Sequence, residues 1–169
     1  MLVYHEASPN EIESILQNGL NKQSRGDKGD DVWIKKTDEY LDKRRPKQLR
    51  EASVSRDDNI YAYVTTVDYI ISITDGRQVP LKVFLQQASS GLLSLTIDET
   101  RCYVSDLDTY DAIKSALQAH ASNEHIEILA QSYWRKLTPL STYIPGSISR
   151  PEIMITYDIE PQYIQRAKT

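Results

Sequence analysis

Two short segments, one near each end of the chain, carry the residue types best suited to chemistry. Tyr4-His5 closes the apolar opening Leu2-Val3-Tyr4, and Arg150-Pro151-Glu152 leads into Ile153-Met154-Ile155. An imidazole can hold or pass a proton near neutrality, and a carboxylate can stabilise developing positive charge or accept a proton from a nucleophile. Both abut strand-like runs, so the pair has the form of a site assembled across a split sheet. The competing reading is structural: a strand-end His more often serves as a framework hydrogen-bonding group, and a Glu opening a strand usually faces solvent.

The remaining inventory narrows the chemistry. A single cysteine, Cys102, excludes an internal disulfide, and His5, His120 and His125 are the only histidines, which leaves no Cys/His set at zinc-site spacing. His5-Glu6 opens like a zincin motif, but the position four residues after His5 is Pro9, so the second helical His is absent. No metal is expected. Cys102 reads as a small buried hydrophobe, and His120 and His125 as surface residues.

With 169 residues, 40% hydrophobic and 26% charged, the chain is expected to form one domain over 1–169. It has no run near the roughly 18 apolar residues of a membrane span, and no basic start followed by an apolar leader. The expectation is a cytoplasmic protein with no membrane partner. The net charge of -4 argues against indiscriminate polyanion binding. Lys35, Lys36, Lys43, Arg44, Arg45, Lys47, Arg50 and Arg56 nevertheless crowd one stretch, mixed with Asp38, Glu39, Asp42, Glu51 and Asp57. Mixed signs favour a solvated, ion-paired helix face over a phosphate-binding patch.

The elements that must position the terminal pair follow from the pattern. Leu2 to Tyr4 predicts a strand, Ser8-Pro9-Asn10-Glu11 a helix start with Pro at the first helical position, and Asn18-Gly19 a left-handed stop with Leu20 packing back. Residues 21–31 predict a loop, and Thr37 to Ala52 a charged helix bent at Pro46. Strands are expected at Ile60 to Thr65, Tyr69 to Ile73, Leu81 to Leu85, Leu92 to Ile97, Cys102 to Val104 and Glu152 to Tyr157. Helices are expected from an Asp108 cap to Ala119 and from Asn123 to Lys136. The sum is a single α+β domain, strand-rich in the middle.

Tyr4-His5, Ile12, Ile15-Leu16 and Gly19-Leu20 resemble the opening of NAD-dependent ADP-ribosyltransferases of the diphtheria-toxin and PARP class, and of the related RNA 2'-phosphotransferases. Arg150 to Ile155, followed by Ile159-Glu160-Pro161-Gln162-Tyr163-Ile164, is similar to the closing segment of the DarT-like transferases. Asn59-Ile60-Tyr61-Ala62-Tyr63 takes the slot of the strand that supplies the Tyr of that family's His-Tyr-Glu triad. The resemblance covers the beginning, one middle strand and the end. It implies an ADP-ribosyltransferase-like split-sheet sandwich flanked by helices, with NAD as co-substrate.

On this resemblance Glu152, His5 and Tyr61 are the catalytic candidates. Glu152 would face the oxocarbenium-like charge on the ribose, His5 a ribose hydroxyl, and Ser8 the nicotinamide amide, while Tyr61 or Tyr63, sharing one strand face, would stack on the ring. Arg25, Arg44, Arg45 and Arg56 are candidates for the cofactor, Arg45 favoured because Pro46 restrains its backbone. Tyr143, in the loop before Glu152, is a candidate acceptor contact. The expected activity is mono-ADP-ribosyl transfer to a nucleic acid or a protein, in a toxin or defence effector with a neutralising antitoxin or immunity partner. The alternatives are an RNA 2'-phosphotransferase, for which the histidines are few, and a non-catalytic nucleotide-binding module.

Overall fold

Side chains alternate across a strand, so a strand apolar at every position must be covered on both faces. Pro151–Ile155 is such a strand, buried at all five residues, and the molecule is arranged around it. The computed structural model describes residues 1–22, 31–88 and 90–167. Its strands are β1 (Leu2–Glu6), β2 (Ile60–Tyr63), β3 (Tyr69–Ile71), β4 (Gln78–Pro80), β5 (Leu92–Thr96), β6 (Cys102–Asp106), β7 (Thr138–Pro139), β8 (Pro151–Ile155) and β9 (Ile164–Arg166). Seven form an antiparallel sheet in the order β7-β6-β8-β2-β1-β5-β9, and β3 and β4 form a separate hairpin. Among the described residues six α-helices accompany them: α1 (Ile12–Asn18), α2 (Val32–Lys43), α3 (Lys47–Glu51), α4 (Leu81–Gln87), α5 (Leu107–Gln118) and α6 (Asn123–Lys136). The architecture is mixed α+β, as composition and pattern predict.

The helices cover the sheet unequally. On one face Val3, Ile60, Ala62, Leu93, Val104, Ile153 and Ile155 form a continuous apolar layer closed by Ile12 and Ile15 of α1. On the other, Tyr61 and Met154 meet Leu41 of α2, Tyr110 and Ile113 of α5, and Ala130, Tyr133 and Trp134 of α6. That second layer stops at β2. Beyond it, Tyr4 and Leu92 are covered instead by Ile70 of the hairpin and by Phe84 of α4.

Several expectations change in the structure. Leu81 to Leu85 is helix α4, not a strand: Pro80 stands at its N-cap, and Leu81, Phe84 and Leu85 share the face that packs toward Tyr4. Their β-forming composition yields to this helical spacing. The charged helix begins earlier, where the Asp31 side chain accepts from the Trp33 N–H, and it divides into α2 and α3 at Arg44-Arg45-Pro46. Asp106, not Asp108, caps α5, whereas α6 spans the expected residues with Ser122 as its cap. The strand carrying Glu152 is not the last one, because β9 pairs with β5.

Gly19 has positive φ (87°) as expected, but its ψ of 177° is extended rather than left-handed helical. The chain turns there onto Ile159, with Leu20 and Ile159 exchanging backbone hydrogen bonds of 2.9 and 2.8 Å. A Cβ on Gly19 would lie 2.5 Å from the Ile159 carbonyl oxygen, so no other residue fits without movement. Among the described residues no helix is long and apolar enough to cross a membrane.

Candidate functional site

Every residue of β1 pairs with β5, from Leu2 with Thr96 to Glu6 with Leu92, yet β1 meets β2 at only one pair, Tyr4 with Tyr63. The sheet is thus joined at a narrow seam, and a cleft of about 420 Å³ opens there. His5, Glu6, Ser8, Tyr61, Tyr63 and Glu152 are among its lining residues. The volume falls in the range of small-molecule sites, about 300–1,000 Å³.

At the seam His5 Nδ1 lies 2.6 Å from the Tyr61 carbonyl oxygen. A carbonyl can only accept, so the ring nitrogen Nδ1 carries the proton and donates it to Tyr61. The backbone of one sheet half thereby orients a side chain on the other.

Glu152 pairs across β2 with Tyr63 and across β6 with Ser105. Although it begins close to a strand end, it is 9% exposed. Its Oε2 accepts from Arg56 Nη1 at 2.9 Å, while Oε1 meets no hydrogen-bond donor among the described residues. Arg56 is itself 4% exposed, its guanidinium carbon 4.2 Å from the ring centres of both Tyr61 and Tyr110. Its Nε lies 3.4 Å from Asp38 Oδ1, and Nη1 reaches the Tyr133 hydroxyl at 3.3 Å. Burial opposes the guanidinium charge, but the oxygens of Tyr133, Tyr61, Glu152 and Asp38 outweigh it and raise the Arg56 pKa well above the usual value.

The sequence candidates divide accordingly. His5, Ser8, Tyr61, Tyr63 and Glu152 all line the one cleft. Tyr61 and Tyr63 are placed differently, however. Tyr61 is buried, with its hydroxyl donating to the Arg56 carbonyl and its ring on the guanidinium. Tyr63 is half-buried, set edge-on to Phe84 and donating to Glu6 Oε2 at 3.0 Å. Burial, with the nearby Glu6 carboxylate, raises the Tyr63 pKa and keeps that phenol a donor. Tyr63 is the better placed of the two to offer a ring face.

Arg45, the arginine favoured from sequence, is not among the cleft-lining residues: it donates to the Val54 carbonyl instead. A restrained backbone before Pro46 serves the bend between α2 and α3. Arg44 pairs with Glu127 and stacks on Tyr40, and Arg25 lies outside the described residues. Arg56, unranked from sequence, is the arginine that touches Glu152. Tyr143 packs against the apolar cluster below β2 and β8 and does not line the cleft. Asp38, Tyr110 and Tyr133 were not foreseen. Asp38 is hidden among the acids of a mixed-charge run, and helical spacing marks the two tyrosines only as core. Cys102 is buried as expected.

These features define an α+β molecule with a seam cleft that joins a backbone-anchored His to an arginine-held carboxylate. Among the described residues no group of three or more His, Cys, Asp and Glu could hold a metal ion. Protein-family models, curated proteins and solved structures yield no match to this chain.

Proposed function

We propose that the chain is an NAD-dependent mono-ADP-ribosyltransferase of ADP-ribosyltransferase-like fold. The observation that carries this reading is that His5 and Glu152, from opposite ends of the chain, line one cleft on either side of Tyr63. What the cleft offers suits the nicotinamide-ribose half of NAD: an imidazole for a ribose hydroxyl, an aromatic ring beside it, and a carboxylate for positive charge at C1'. The N-glycosidic bond breaks with its electron pair leaving on nicotinamide. C1' then bonds to the acceptor nucleophile, whose proton passes to Glu152 or to water.

The chain's three histidines are few for an RNA 2'-phosphotransferase, the alternative on the same fold. Incubating the protein with labelled NAD and separate pools of RNA, DNA and protein tests the reading. Nicotinamide release with label in one pool is expected, and no release at millimolar NAD would leave a non-catalytic binding module.

A further inference from the structure

Arg56 is shared between two carboxylates. Asp38, on α2, is 1% exposed and faces the Nε edge of the guanidinium, while Glu152, on β8, takes only Nη1. The Tyr110 hydroxyl donates to Asp38 Oδ1 at 2.9 Å, and the Tyr110 ring covers one face of the guanidinium. A guanidinium with a single buried carboxylate partner normally closes on it through two parallel N–H···O bonds, which occupies both oxygens. A carboxylate held that way is poorly available to a substrate.

Resting on the transferase reading, we propose that Asp38 is a positioning residue for the transfer reaction. Through its charge beside the Nε edge of Arg56, 3.4 Å away, Asp38 draws the guanidinium from closing fully on Glu152 and leaves Oε1 for the ribose or the incoming nucleophile. Asp38 itself is absent from the cleft lining, so it acts only through Arg56.

The test is Asp38→Asn, which keeps the shape and removes the charge. Nicotinamide release by the wild type and the variant is measured together with NAD affinity by calorimetry. The expected result is a fall in kcat on the order of 10²-fold with KM and the NAD dissociation constant changed by less than about threefold. A merely structural role would shift affinity and melting temperature along with kcat.

Should Asp38→Asn fail to fold, Tyr110→Phe removes the hydroxyl that orients Asp38 and keeps the ring over Arg56. It is expected to lower kcat by about tenfold, again without loss of NAD affinity. Full kcat in a folded Asp38→Asn variant, or in Tyr110→Phe where the first cannot be made, overturns the proposal. A wild-type protein that releases no nicotinamide overturns the transferase reading itself, which separates the two failures.

Discussion

Glu152 and His5 differ in how they are held, and their variants should differ in kind. Glu152→Gln keeps the size and removes the charge that the transferase reading sets against C1'; transfer should fall by about 10²–10³-fold while calorimetry shows NAD binding nearly intact. Retention of full activity would sink the assignment. His5→Ala removes the imidazole oriented by the Tyr61 carbonyl, and should raise the KM for NAD with a smaller effect on kcat. Both residues could be found from sequence because each stands beside a run of β-formers, one at each end of the chain. Arg56 could not be ranked and Asp38 could not be seen. A buried guanidinium is stabilised by Tyr61 from β2, Tyr110 from α5 and carboxylates from α2 and β8, and no local pattern announces a meeting of four distant segments.

Among the elements, those set by local signals were readable and those set by partners were not. Helix α6 has a Ser cap and regular apolar spacing, and its range was predictable; Ser122→Ala should cost about 1 kcal/mol in denaturant unfolding. Strands β4, β7 and β9 are two or three residues long and exist because a neighbouring strand has unpaired backbone, which sequence periodicity does not report. Helix α4 was misread because Leu81-Lys82-Val83-Phe84-Leu85 fits either period, and the aromatic surface of Tyr4 and Tyr63 selects the helix. At Gly19 the backbone conformation and the Ile159 carbonyl both forbid a side chain. Gly19→Ala should destabilise by at least about 1–3 kcal/mol and, through α1, widen the cleft, seen as a lower denaturation midpoint and weaker NAD binding.

Across the whole molecule, acid stability should report on Asp106. Burial pushes its pKa up, but Lys136 at 2.6 Å and the Thr109 hydroxyl at 2.7 Å outweigh this and hold it below the ordinary value. A lowered folded value means that the contribution is fully present above the unfolded pKa of about 3.9 and is lost as pH falls through the folded one. Asp106→Asn should therefore flatten the acid limb of stability against pH below about 4, and an unchanged limb would rule the pairing out as its source. The Cys102 thiol, its pKa pushed up to about 12 chiefly by burial, should resist thiol reagents until the protein unfolds.

The strand order also has a consequence for biosynthesis. Of the sheet's strands β1 is made before the others, but its neighbours are β2 and β5, and the wall opposite His5 is completed only when β8 has been made. A nascent or prematurely terminated chain thus carries His5 long before it has Glu152. On the transferase reading, the cell that makes the protein is spared its activity until β8 has been translated.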